Sequence, residues 1–159
     1  MTVLQLNSEI KNDRNVNKNY ESYIEKIKEN LINRVSVLET LESFVYLDSI
    51  VYTDSRTYRD VITLMKLCID ERNAVEIYYL WAKILINQRK FEYLDDFIFV
   101  TLSFNDYNAI KTSYCMLFDV FDDYFYKFMD LLSDVKELSF IFDELKNRME
   151  SNVTTVYTE

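Results

Sequence analysis

The sequence contains no glycine, no proline and no histidine among its 159 residues, and only two cysteines. Average usage would give about eleven glycines and eight prolines in a chain of this length. Dinucleotide-binding fingerprints, phosphate loops and nucleophile elbows all require glycine, so these sites are excluded. Without an imidazole, Ser–His and Cys–His catalysis and histidine-ligated zinc are excluded as well.

Cys68 and Cys115 lie far apart in apolar, helix-like stretches without CxxC spacing, which is typical of small core residues rather than of a disulfide. No apolar run approaches the roughly 18 residues that a membrane-spanning helix needs, and no secretory signal pattern is visible near residue 1. We therefore expect an intracellular protein, cytoplasmic or nuclear, without a membrane segment.

The charge balance is acidic: 27 Asp and Glu against 18 Lys and Arg give a formal net charge of −9. Such a chain is not expected to bind nucleic acid by neutralising phosphates, whereas a basic partner would suit it. Asp119, Asp122 and Asp123 are clustered at helical spacing, but a calcium loop needs a glycine-assisted turn. No nucleophile has an identifiable partner base. We expect no metal, no cofactor and no enzymatic activity.

Apolar residues recur with a period near 3.6 along most of the chain, which predicts an all-α fold of about seven or eight helices. The expected helices cover about residues 20–32, 36–52, 57–69, 73–86, 90–102, 106–120, 122–132 and 133–149. Residues 1–18 are predicted to be a mobile polar arm, residues 19–149 a single helical domain and residues 150–159 a frayed tail. Ser36 with Glu39 resembles a capping box, and Asn87 is expected to replace glycine in a left-handed turn.

A period of 33 residues underlies this pattern, which predicts stacked helical hairpins. Small residues, aromatic residues and apolar residues each recur at that interval. The three sets are Ser49, Ala82 and Cys115; Tyr58, Phe91 and Tyr124; and Met65, Ile98 and Leu131.

Residues 41–135 resemble the tetratricopeptide repeat, a helical hairpin of 34 residues. Trp81-Ala82 followed by Leu85, and Phe91 followed by Leu94, carry the resemblance best. It implies three stacked hairpins with flanking helices. The glycine and proline positions of the family are empty, and Lys127 departs from its pattern. The alternative is a compact, non-repeating helical bundle.

The resemblance implies a non-catalytic interaction module that binds another protein or an amphipathic peptide in a groove lined by the first helix of each hairpin. Carried over by register, the partner-binding residues are Tyr46, Ile50, Tyr79, Lys83, Ile86 and Met116. Thr53 follows Ile50 in the same register. The basic carboxylate clamp of chaperone-binding members is absent.

A second candidate surface is the aromatic segment Tyr124, Phe125, Tyr126 and Phe128. Adjacent aromatic residues point around a helix and cannot all face one core, which suggests self-association and hence a homo-dimer. The alternative is that they pack against the last predicted helix.

The first functional hypothesis is therefore an adaptor or regulatory subunit. The second is an acidic, pathogen-encoded inhibitor or nucleic-acid mimic that blocks a basic site on a host protein. The third is a compact bundle that traps an amphipathic helix, as viral survival factors do, although the Asn-Trp-Gly-Arg-type motif of that class is missing.

Overall fold

The protein is all-α, as its apolar period predicts. The structure, a computed structural model, describes residues 3–90, 92–101 and 107–120. Seven helices and no strand are present in these ranges. The helices are α1 Val3–Asn12, α2 Val16–Ile32, α3 Val37–Ile50, α4 Ser55–Leu67, α5 Ala74–Gln88, α6 Glu92–Thr101 and α7 Tyr107–Val120. None of them is long and apolar enough to cross a bilayer.

The chain divides into two compact units, residues 1–88 and residues 89–159. In the first unit α3 is central and packs against α1, α2 and α5, while α2 also packs against α4. Its apolar face supplies Leu41, Phe44 and Leu47, all fully buried. A helix that is apolar on several sides needs several neighbours, and this explains the central position of α3.

The single tryptophan, Trp81, belongs to α5 in the first unit and is fully buried. Its indole N–H donates a hydrogen bond to the Tyr58 hydroxyl of α4 over 3.0 Å. The Lys66 ammonium lies 5.8 Å from the centre of the indole ring. A buried indole N–H needs an acceptor, and the tyrosine of the neighbouring helix provides it.

Aspartates build the turns that glycine and proline build in most proteins. Asp13 Oδ1 accepts the Asn15 backbone N–H, and Asp54 Oδ1 accepts that of Thr57 at the start of α4, both over 2.7 Å. Asp70 Oδ1 likewise accepts backbone N–H groups from the two residues before α5. Such local side-chain bonds favour turns and helix starts. The cap of α4 is therefore Asp54, three residues before the predicted start.

Within the described ranges, three residues adopt left-handed backbone conformations: Arg34 (φ 54°), Ser36 (φ 46°) and Arg89 (φ 54°). The expectation for Asn87 is wrong, because Asn87 is helical and Arg89 makes the left-handed turn after α5. Ser36 does precede α3, but its side chain makes no capping hydrogen bond. An N-cap residue usually has an extended backbone, whereas Ser36 is left-handed. Ser36 therefore occupies the predicted cap position without making the predicted cap hydrogen bond.

The N-terminal residues differ from the polar arm that the sequence predicts. Residues 3–12 form α1, and Leu6 and Ile10 on one face of it are buried. The buried Ser43 hydroxyl of α3 donates a hydrogen bond to Asn7 Oδ1. Two apolar side chains four residues apart are enough to stabilise α1 once α3 offers a complementary face. The polar residues between them hide the apolar period of this helix in the sequence.

In the second unit the described part consists mainly of α6 and α7, joined by aromatic and hydroxyl contacts. The rings of Phe97 and Tyr114 meet edge to face, with centroids 5.5 Å apart at 62°. The Tyr114 and Thr101 hydroxyls share a hydrogen bond, and both residues are fully buried. Buried tyrosine and threonine thus satisfy each other.

The small positions of the 33-residue period are not equivalent in burial. Ala82 and Cys115 are buried, whereas Ser49 is exposed. A small residue that recurs in stacked hairpins predicts a position where two antiparallel helices cross closely. Ser49 is exposed and does not lie at such a crossing, so this prediction is wrong for Ser49. Cys68 and Cys115 are free and buried, as expected of core cysteines. The predicted helices over residues 122–149 and the tail at 150–159 lie outside the described residues.

Candidate functional site

An open groove lies between α3 and α5 on the surface of the first unit. We call it the α3–α5 groove, and its volume is about 420 Å³. It is lined by Glu42, Val45, Tyr46 and Ser49 of α3 and by Leu80, Lys83, Ile86 and Asn87 of α5. The α3 residues follow the i, i+3, i+4, i+7 spacing of one helix face, so two helices packed side by side form the groove.

The aromatic wall of the groove is held from outside by α1. Tyr46 is half-buried, and the Lys11 ammonium lies 5.7 Å from the centre of its ring. The Ser49 hydroxyl donates a 2.5 Å hydrogen bond to the Tyr46 carbonyl one turn earlier. A cation over the ring and packing on α3 both restrict the tyrosine, which preorganises it for contact.

Lys83 is the cation of the groove, and a tyrosine one turn earlier positions it. Its ammonium lies 4.6 Å from the centre of the Tyr79 ring, which is 37% exposed. Lys83 itself is half-buried, and its aliphatic stem can cover apolar surface while the ammonium stays near water. Lys83 and Glu42 give the groove one charge of each sign.

A hydrogen bond joins the two walls of the groove. Asn87 Nδ2 donates a 3.1 Å hydrogen bond to the Val45 carbonyl, which ties α5 to α3. The next pair along the two helices is buried: Gln88 Nε2 donates a hydrogen bond to Asp48 Oδ1. Val45, Leu80 and Ile86 give the lining its aliphatic part, and charged and polar groups line the same groove. This arrangement suits apolar side chains that carry polar flanks.

Asp48 has an unusual environment for a carboxylate. Burial raises its pKa from 3.8 to about 6, against the opposing effect of hydrogen bonding from Thr53, Gln88 and Asn87. Burial disfavours the ionised carboxylate because water no longer solvates it. The folded protein therefore binds this proton more tightly than the unfolded chain does, so the contribution of Asp48 to stability grows as pH falls from 7 towards 4.

The structure brings together three of the predicted partner-binding residues: Tyr46, Lys83 and Ile86 all line the groove. Tyr79 lies beside Lys83 but does not line the groove, and Ile50 is exposed at the end of α3. Ile50 and Tyr79 therefore remain predictions as partner contacts.

Three further expectations have different outcomes. Thr53 is fully buried and accepts a hydrogen bond from the Tyr20 hydroxyl, so its assignment to an open groove is wrong. Met116 belongs to α7 in the second unit, and its role in binding stays a prediction. The proposed self-association residues Tyr124, Phe125, Tyr126 and Phe128 lie outside the described residues.

Sequence reasoning missed five groove residues: Glu42, Val45, Ser49, Leu80 and Asn87. The i, i+3, i+4, i+7 pattern from Glu42 to Ser49 was available as a signal. It could not be separated from an ordinary solvated helix face, because the facing residues of α5 come from more than 30 positions later. In the part of the chain that the structure describes, no three Cys, Asp or Glu side chains are placed to hold a metal ion.

No family model, curated protein or solved structure matches this chain.

Proposed function

We propose that this protein is a non-catalytic interaction module, an adaptor or regulatory subunit, that binds an amphipathic helix of a partner protein in the α3–α5 groove. The observation that carries this proposal is the groove itself. Its lining combines the aliphatic side chains of Val45, Leu80 and Ile86 with the polar or charged groups of Lys83, Glu42 and Asn87. An amphipathic helix presents apolar anchors with polar residues beside them, and this is the chemistry that such a groove accepts.

The helix packing of the first unit supports the tetratricopeptide-like part of the proposal. The helices α1 and α3, α3 and α5, and α2 and α4 pack together. Each pair is two positions apart along the chain, as expected when helical hairpins stack in sequence order. In such an arrangement the groove between two first helices is where a partner segment binds.

The restraint on the groove walls also supports binding. Lys11 over the ring of Tyr46, and the hydrogen bond from Asn87 to the Val45 carbonyl, hold the walls in place before any partner arrives. A preorganised surface loses less conformational entropy on association, so more of the contact energy appears as affinity. Tyrosines such as Tyr46 combine a large apolar area with few rotatable bonds.

The test compares two matched substitutions, Ile86→Glu and Ile32→Glu. Ile86 lines the groove, whereas Ile32 is 63% exposed at the end of α2 and does not line it. Affinity capture from cell extract with quantitative mass spectrometry should show a set of proteins that binds wild type and Ile32→Glu. The Ile86→Glu variant should lose this set by at least tenfold, about 1.4 kcal/mol, because a carboxylate cannot be desolvated against an apolar anchor.

The fluorescence of Trp81 and the helical circular dichroism signal should be unchanged in both variants. Equal recovery of the same proteins with folded Ile86→Glu and with wild type would remove the groove from the proposal. The same comparison with Tyr79→Ala asks whether the flanking tyrosine contributes: loss of binding would extend the site beyond the groove lining.

A further inference from the structure

The buried Asp48–Gln88 pair has too few hydrogen-bond donors for its acceptor oxygens. Asp48 is 7% exposed and Gln88 is 8% exposed, and the bond from Gln88 Nε2 to Asp48 Oδ1 joins them. Two oxygen atoms of this pair, Asp48 Oδ2 and Gln88 Oε1, are buried and have no hydrogen-bond partner among the described residues. Thr53 and Asn87 lie close enough to lower the pKa of Asp48, but neither makes a hydrogen bond to Oδ2. Both atoms are acceptors as long as the carboxyl is ionised. Buried unpaired acceptors destabilise the folded protein.

One proton would satisfy both atoms. A protonated carboxyl keeps one acceptor oxygen and gains an O–H donor, so it can form two hydrogen bonds with the amide of a glutamine. The amide N–H already donates to Oδ1. A proton on Oδ2 would supply the missing donor for Gln88 Oε1.

Among the described residues, no cation contributes to the pKa of Asp48 or favours its ionised form. From α2, Tyr20 donates its hydroxyl hydrogen to Thr53 Oγ1; burial raises the pKa of that tyrosine most, and the negative charges of Asp54, Asp48 and Glu21 raise it further. From α5, Asn87 and Gln88 are neutral, and Lys83 lies over the ring of Tyr79. From α1, Lys11 lies over the ring of Tyr46. The carboxyl is therefore surrounded by neutral or acidic groups.

We propose that in mildly acidic solution the folded protein holds a proton on Asp48 Oδ2, which donates a hydrogen bond to Gln88 Oε1. The contact between α3 and α5 is then closed by a neutral acid–amide pair. At neutral pH the pair is ionised and the two oxygens lose their shared donor. Asp48 precedes the groove residue Ser49 and Gln88 follows the groove residue Asn87, so the proton stabilises the frame of the groove.

The first measurement is a carbon-13 NMR pH titration of the full-length protein labelled at its aspartate carboxyl carbons. One resonance should titrate near pH 6, in agreement with the raised pKa of Asp48, and should be missing from Asp48→Asn. If the resonance that Asp48→Asn removes titrates near the ordinary value of 3.8, the proposal is wrong.

The second measurement is urea unfolding followed by Trp81 fluorescence, because the single tryptophan lies in the same unit as the pair. A pKa near 6 in the folded protein and 3.8 in the unfolded chain predicts that the folded-to-unfolded ratio rises about tenfold between pH 7 and pH 5. Asp48→Asn should lose this increase and should be more stable than wild type at pH 7, since its amide N–H can donate to Gln88 Oε1.

Asp54→Asn is the matched control, because it removes one carboxylate from an exposed helix cap. The backbone N–H of Thr57 lowers the pKa of Asp54, which keeps it ionised in folded and unfolded chains between pH 5 and pH 7. This variant should retain the tenfold rise. An Asp48→Asn protein that is unfolded at pH 7, or that retains the rise, would overturn the proposal.

Discussion

Arg34 shows how this chain ends a helix without glycine. The Arg34 N–H donates to the Leu31 carbonyl, and the Val35 N–H donates to the Asn30 carbonyl over 2.9 Å. This pair of bonds is a Schellman motif, whose left-handed position is usually glycine because a Cβ atom is unfavourable there. Arg34 occupies it at φ 54°. The hydrogen bonds of the motif therefore offset the steric penalty of the Arg34 Cβ atom, a penalty that glycine would avoid.

Arg34→Gly should consequently stabilise the first unit by about 1 kcal/mol. A left-handed residue with a Cβ costs about 1–2 kcal/mol, of which the greater backbone entropy of unfolded glycine offsets roughly half. Urea unfolding monitored by Trp81 fluorescence measures the change. Arg34→Ala keeps the Cβ and should show no gain; an equal gain in both variants would assign the effect to loss of the arginine side chain.

At the scale of elements, α1 shows how a short helix depends on its neighbours. It has ten residues, fewer than an isolated helix needs to be stable in water. Leu6 and Ile10 are each 1% exposed, and Asn7 accepts a hydrogen bond from Ser43 of α3. Burial on α3 therefore stabilises α1, and α1 in turn covers α3 and places Lys11 over the ring of Tyr46 beside the groove.

Ile10→Ala should lower the free energy of unfolding of the first unit by about 3 kcal/mol, since it removes buried methylene groups and leaves a cavity. Ser8→Ala is the control on the same helix, because Ser8 is exposed and its hydroxyl accepts only a local bond from Asn12. Chemical denaturation of both variants measures the difference. A change below about 0.5 kcal/mol for Ile10→Ala, as for an ordinary surface substitution, would mean that α1 does not pack stably on α3.

At the scale of the whole molecule, the net charge of −9 and the apolar groove favour different modes of binding. An acidic surface attracts a basic partner over long distances, and salt screens this attraction, with a Debye length of about 3 Å at 1 M. Contacts through Val45, Leu80 and Ile86 exclude water and respond little to salt. The salt dependence of binding therefore distinguishes an adaptor from an acidic inhibitor or nucleic-acid mimic.

For a partner captured by wild type, we expect affinity to change less than tenfold between low salt and molar salt. A thousandfold loss over the same range would favour charge mimicry, because electrostatic association weakens steeply as ions screen the charges. Isothermal titration calorimetry with the purified partner measures both affinities. A partner whose binding collapses in salt should be retained by Ile86→Glu, whereas a partner bound in the groove should be lost from it, so the variant checks the result of the salt experiment.

Local chemistry is what the sequence by itself determines. The apolar period predicts helices that overlap α2 to α7, since periodicity reflects which face of each helix is buried. The absence of glycine and histidine excludes whole classes of site for reasons of backbone geometry and proton chemistry. The groove residues Tyr46, Lys83 and Ile86 are predicted from the register of the tetratricopeptide repeat. That register indicates which helix face each residue lies on, but not which other helix packs against that face.

Only the tertiary structure decides which helix faces pack against each other, and therefore which residues are buried. The helix α1 forms because α3 covers Leu6 and Ile10, and neither residue carries that information locally. Asp48 looks in the sequence like any helical aspartate, yet burial against α5 raises its pKa to about 6. The physical reason is the same in both cases: desolvation depends on neighbours that lie far away along the chain, and a local pattern cannot specify them.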